Sequence, residues 1–143
     1  MCARKSALAD VGVMCLGHTI SWRAQTTLGA GGEQRMVTIA KENDVVTLIN
    51  VFTVAPEDQQ RLVDVLVEAT RAVMRKQPGF VSANIHKSLD GTRVANYAQW
   101  RSKEAFEAML RDREAAEHMG EAAKIAERFE PHLYEVSFVD ESK

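Results

Sequence analysis

Residues Val45–Val54 read VVTLINVFTV, a run rich in β-branched residues whose apolar side chains fall on both parities. Side chains of a strand alternate between the two faces of a sheet, so a strand with one wet face alternates apolar with polar, and a strand covered on both faces does not. The run therefore predicts a strand buried on both sides, with Asn50 as its one amide. Immediately after it, Pro56 suits a first helical turn, where a missing N–H costs nothing, and Glu57 and Asp58 complement the positive end of a helix dipole. Leu62, Leu66, Ala69 and Val73 then recur at helical spacing, with Val63 and Val65 widening the stripe. That spacing predicts an amphipathic helix ending before Pro78-Gly79.

Further along, a second strand is predicted from Phe80 to about Ser88, and Asp90-Gly91 supplies the turn into a third, Arg93 to Trp100. Ser102 and Asp112 are natural N-caps for two short helices, the first holding Phe106, Met109 and Leu110, the second Ala115, Met119, Ala122, Ala123 and Ala126. A last strand is expected over His132–Val139. This order is β-α-β-β-α-β with a broken second helix, and it predicts an α+β ferredoxin-like sandwich over residues 44–140: an antiparallel four-stranded sheet with its helices on one face. One helical layer leaves the other face bare although the strands are apolar on both sides. A second copy is the simplest cover, so a homodimer is expected, its two sheets closing into a dimeric α+β barrel.

Residues 1–43 hold no sustained periodicity and include the run Leu28-Gly29-Ala30-Gly31-Gly32, which reads as an unstructured extension. Two readings of it stay open: a genuine extension, or a start of translation at Met36, ahead of which Gly32-Glu33 fits a purine-rich ribosome-binding sequence. Both cysteines, Cys2 and Cys15, lie in this part and cannot staple the domain, which points to a reducing, cytoplasmic setting. Asp10 interrupts the only stretch resembling a signal peptide, and no apolar run is long enough to span a membrane. With Lys and Arg totalling 18 against 20 acidic residues, mixed along the chain, no basic stripe is available for nucleic acid. His18, His86, His118 and His132 lack paired metal-ligand spacing, and no Ser-His-Asp pattern or phosphate loop appears, so no metal site is expected.

In a ferredoxin-like sheet the first and third strands are central antiparallel neighbours. Asn50 on the first, and Asn96 and Trp100 on one face of the third, can then converge on one cavity if the register allows it. The strand VVTLINVFTV, the block PGFVSANIHKSLDGTRVANYAQWRSKEAFEAM and the closing EPHLYEV resemble the antibiotic biosynthesis monooxygenases of aromatic polyketide pathways. The resemblance implies an enzyme without flavin, haem or metal, in which Asn50, Asn96 and Trp100 contact a small aromatic substrate and O2. Phe52, Phe106, Met109 and Met119 are the expected apolar walls, and His86 or His118 the expected proton relay.

Such residues suffice when the substrate itself supplies the electrons. Triplet O2 reacts slowly with closed-shell organics, and most oxygenases use a cofactor to pass single electrons. A deprotonated anthrone or hydroquinone is electron-rich enough to do so unaided, leaving the protein to bind the rings, exclude water and stabilise the anion. One preorganised donor to such an anion is worth roughly 2.7–4 kcal/mol. The implied function is a cofactor-independent monooxygenase that makes a quinone. Three alternatives remain, one of which, quinol oxidation in general metabolism, shares the mechanism and differs only in substrate. Haem-degrading relatives share the Asn and the Trp but place an iron-ligating His where Met109 and Leu110 stand here, and His118 lies about two helical turns further on. The same barrel also serves as a non-oxidative cyclase or ligand binder, because the fold supplies a cavity and not a reaction.

Overall fold

A computed structural model describes residues 36–142. They fold as β1 (Val46–Thr53), α1 (Gln59–Ala72), β2 (Phe80–Lys87), β3 (Arg93–Trp100), α2 (Lys103–Leu110), α3 (Arg113–Ile125) and β4 (Arg128–Tyr134). The sheet order is β2-β3-β1-β4 and every neighbouring pair is antiparallel. This is the ferredoxin-like α+β sandwich expected from the element order, with its second helix divided into α2 and α3.

Local chemistry places each element. Pro56–Asp58 form a single 3-10 turn ahead of α1. The first residue of α1, Gln59, is buried, and its Nε2 donates to the carbonyls of Ser88 and Arg93 at 3.0 and 2.9 Å. One side chain thus latches the helix onto both arms of the β2–β3 hairpin. Ser102 Oγ accepts from the Ala105 N–H at 3.1 Å and Asp112 Oδ1 from the Ala115 N–H at 2.8 Å, so both N-caps read from the sequence are made. The stripe Leu62, Leu66, Ala69 and Val73 is buried against the sheet.

One strand differs from expectation. The sequence predicts His132–Val139, whereas β4 runs from Arg128 to Tyr134, with Pro131 inside it and not at its entry. β4 is an edge strand that pairs only with β1, and an edge position tolerates proline because the absent N–H need not serve a ladder. The shift brings Phe129 opposite Phe52 and Leu133 opposite Leu48. Cys2, Cys15, His18, the Gly29–Gly32 run and most of the predicted extension lie outside the described residues. Among the described residues no helix is long and apolar enough to cross a membrane.

Between sheet and helices the core forms two clusters. One gathers Leu48, Ala98, Trp100, Phe106, Met109 and Ala115; the other gathers Phe52, Val94, Leu62, Leu66 and Ala122. In the β1–β3 register Leu48 faces Ala98, Phe52 faces Val94, and the row between them is Asn50 opposite Asn96. The core therefore divides where the two amides stand. On the other face of the sheet, Ile49, Val51 and Tyr97 follow from the period-two alternation and are half-buried with no helix over them among the described residues, while Gln99 on that face is buried and donates to the Thr38 carbonyl at 2.9 Å.

Candidate active site

A cavity of ≈ 480 Å³ opens at that division, between the sheet and all three helices. Its volume lies in the range of small-molecule sites. Asn50 and Asn96 form its floor as direct cross-strand partners, a relation that places their Cβ atoms about 4.5–5.5 Å apart. Ile85 flanks Asn96 on β2 and Pro131 flanks Asn50 on β4, so the row across the sheet is apolar, amide, amide, apolar. The side-chain oxygens of both amides are buried and have no hydrogen-bond partner among the described residues. A buried unsatisfied polar atom costs about 1–3 kcal/mol. Both oxygens belong to side chains that line the cavity, so a small turn of either carboxamide brings a carbonyl or an N–H₂ group to a ligand.

Trp100 closes one end of the cavity. It is only 2% exposed, packed edge-on against Phe80 and Phe106 with ring centroids 5.5 and 5.9 Å away. Its Nε1 is the third buried polar atom on a lining side chain without a partner among the described residues. Indole N–H groups usually find an acceptor when buried, so this donor too is left for whatever occupies the cavity. At the other end Phe52 and Phe129 stand 6.2 Å apart, and Phe129 is half exposed at the rim. The arrangement suits a flat, largely apolar molecule bordered by aromatic rings at both ends and met by two amides midway.

The other residues singled out in the sequence divide clearly. Phe52, Phe106, Met109, His118 and Met119 all line the cavity. His86 does not. It shares the parity of Ser82 and Asn84 on β2, away from the helices, and is exposed. Asn84 spends its amide on the Tyr97 carbonyl at 3.2 Å, a structural bond. Leu48, Thr70, Phe80 and Phe129 join the lining without having been singled out. Phe129 was recognisable in principle, since it recurs two residues before Pro131 and four before Leu133, the alternation of a strand face. Among the described residues no group of three His, Cys, Asp or Glu side chains is placed to hold a metal ion.

The model of the antibiotic biosynthesis monooxygenase family matches residues 45–124 of this chain. The chain belongs to that family. Tetracenomycin-F1 monooxygenase of Streptomyces glaucescens is 46% identical over 102 residues, which cover 71% of this chain and 90% of that protein. Among solved structures, SnoaB, a cofactor-independent oxygenase from Streptomyces nogalater, superposes with a TM-score of 0.60 at 25% identity, covering 68% of this chain and 97% of its own. A monooxygenase of Streptomyces coelicolor solved in complex with nanaomycin D gives a TM-score of 0.61 at 26% identity, covering 69% of this chain and 92% of its own. The antibiotic biosynthesis monooxygenase fold and the row of amides thus coincide in one oxidoreductase domain.

Proposed function

We propose that this enzyme oxidises an anthrone- or hydroquinone-type polycyclic aromatic to a quinone with O2, using neither metal nor flavin. The observation that carries the reading is the set of three buried polar atoms without a partner among the described residues, Asn50 Oδ1, Asn96 Oδ1 and Trp100 Nε1, on side chains that line one largely apolar cavity. Asn50 and Asn96 sit midway along the site, where they hold the oxygen of the substrate through hydrogen bonds. Once the substrate loses a proton, the amide N–H₂ groups and the indole N–H stabilise the enolate in a water-poor cavity, in the manner of an oxyanion hole. The electron-rich anion then passes an electron to O2, and the radical pair combines at carbon. For an anthrone the balance is a methylene plus O2 giving a ketone plus water, with one oxygen atom of O2 retained.

The similarity to a tetracenomycin-F1 monooxygenase and to a cofactor-independent oxygenase supports this reading. In the same reading the enzyme acts as a homodimer, because Ile49, Val51 and Tyr97 present an apolar sheet face that one layer of helices leaves uncovered.

Oxygen uptake by purified protein, freed of metal and flavin, with a panel of anthrones and naphthohydroquinones tests the proposal. Saturable uptake is expected, matched by quinone formed, with one atom of ¹⁸O₂ retained in the quinone made from an anthrone and none in that made from a naphthohydroquinone, whose two electrons and two protons leave O2 as H2O2. A cyclase or binding protein would take up no O2 above the rate without protein.

A further inference from the structure

The amides and the indole stabilise an anion, but none of them can hold the proton whose removal creates it. A carboxamide is not basic at neutral pH, and an indole N–H is a donor only. Among the described residues the lining contains no Asp, Glu, Lys, Arg, Cys or Tyr to accept it. Two histidines border the cavity. His132 pairs with Ile49 across β1 and β4, which puts its side chain on the sheet face away from the helices, where its ring lies 6.4 Å from that of Tyr134. His118 remains.

Its position follows from the pattern of α3. Ala115 and Ala122 are the buried residues of that helix, and His118 stands three residues after the first and four before the second, on the same stripe. One alanine on each side lets α3 pack closely within the helical layer and leaves the imidazole as the one large polar group on that stripe, half-buried beside Met119 at the cavity. Partial exposure gives the ring a route to solvent for protons, and an imidazole nitrogen can accept a proton and return it.

We infer that His118 is the general base and acid of the oxidation, an inference that rests on the oxygenase reading above. The neutral imidazole takes one proton from the substrate methylene, giving an imidazolium beside the enolate. After electron transfer and C–O bond formation, the imidazolium returns that proton to the terminal peroxide oxygen. His118 then removes the remaining C–H proton as the O–O bond breaks; the C=O bond forms, hydroxide leaves, and it takes the proton from the imidazolium to depart as water. Two C–H protons and one oxygen atom of O2 end in water, the other oxygen in the quinone, and His118 ends as it began.

The test compares the full-length wild type with His118→Ala, His118→Gln and, as control, His86→Gln, using anthrone and anthrone deuterated at the methylene. Loss of a positioned base lowers turnover by about 10²–10⁴-fold. That loss is expected in kcat for both His118 variants, with affinity for the anthraquinone product unchanged, and imidazole added to the buffer restores turnover to His118→Ala in proportion to its concentration. The deuterium isotope effect rises in the rescued variant, where proton removal limits the rate. His86→Gln keeps wild-type turnover. If His118→Ala fails to fold, His118→Gln carries the comparison. No O2 uptake by the wild type with any substrate overturns the oxygenase reading itself. Wild-type uptake with unchanged kcat in a folded His118 variant, or a loss that follows product affinity and ignores imidazole, overturns the role of His118 alone.

Discussion

Asn50 and Asn96 stand directly opposite one another on the two central strands, and the side-chain oxygen of each is buried without a hydrogen bond among the described residues. In a core built only for stability this row would be apolar, as are the rows on either side, Leu48 with Ala98 and Phe52 with Val94. The pair therefore lowers stability in exchange for a polar site.

Replacing either Asn by Leu separates the two effects. Each change removes an unsatisfied buried group and adds apolar surface beside a cavity with room for it, so Asn50→Leu and Asn96→Leu are each expected to raise unfolding stability by about 1 kcal/mol or more. Turnover should fall at the same time by about 10²–10³-fold, the loss expected for one oxyanion donor. Urea denaturation and initial rates of quinone formation measure both. A destabilised Leu variant would mean that the amides hold structural bonds.

Trp100 calls for a milder substitution. Truncation to Ala removes a fully buried indole from between Phe80 and Phe106 and would cost about 3–5 kcal/mol, so lost activity would say nothing about the N–H. Trp100→Phe keeps an aromatic ring in that place and deletes only the donor and part of the volume. The variant should remain folded by circular dichroism, with turnover lowered on the order of 10²-fold. Wild-type turnover in Trp100→Phe would leave the indole with a packing role alone.

How far this site could be read from sequence depends on which interactions are local. The double-parity run of β1, the Asp90-Gly91 turn and the Ser102 and Asp112 caps are local signals, and the corresponding elements form where they stand. The pairing of Asn50 with Asn96 is not local. β1 and β3 are joined through a helix and another strand, so no turn sets their register, and only the packing of Leu48, Phe52, Val94 and Ala98 under the helices selects it. β4 begins earlier than its sequence suggests for a related reason: Pro131 reads as a strand boundary unless its edge position is known. His86 and His118 are equivalent as letters. Parity on β2 sends the first away from the helices, whereas the helical period of α3 carries the second to the cavity.

Gly79 tests how closely the β2 entry meets α2. Its φ is +82°, and a Cβ placed on it would lie 2.5 Å from the Cβ of Ala105, while its carbonyl accepts the Arg101 N–H at 2.7 Å. Both the backbone angle and the contact oppose a side chain, so Gly79→Ala should destabilise by about 1–3 kcal/mol. Gly120 is the opposite case, a helical glycine with no atom within 4 Å of an added Cβ. There the gain in helix propensity dominates, and Gly120→Ala should stabilise by about 0.5–1 kcal/mol. Equal shifts in the two denaturation midpoints would contradict the close approach at Gly79.

Asp90 should make part of the stability of the hairpin depend on acid. Its carboxylate accepts from Ser88 Oγ at 2.7 Å, from the Thr92 N–H at 3.0 Å and from Thr92 Oγ1 at 2.8 Å. These bonds, that from Ser88 foremost, favour the charged form and hold its pKa at about 2 against an ordinary 3.8. A folded-state pKa below the unfolded one means that the contribution is complete above 3.8 and is lost as the pH falls through about 2. Ser88 also accepts the Arg93 N–H at 2.9 Å, and Gln59 bonds the Ser88 carbonyl, so protonation loosens the turn that anchors the start of α1. The wild type should therefore unfold at a higher denaturant concentration than Asp90→Asn at neutral pH, with the gap closing as the pH approaches 2. A gap that is independent of pH would assign the turn to the shape of residue 90 and not to its charge.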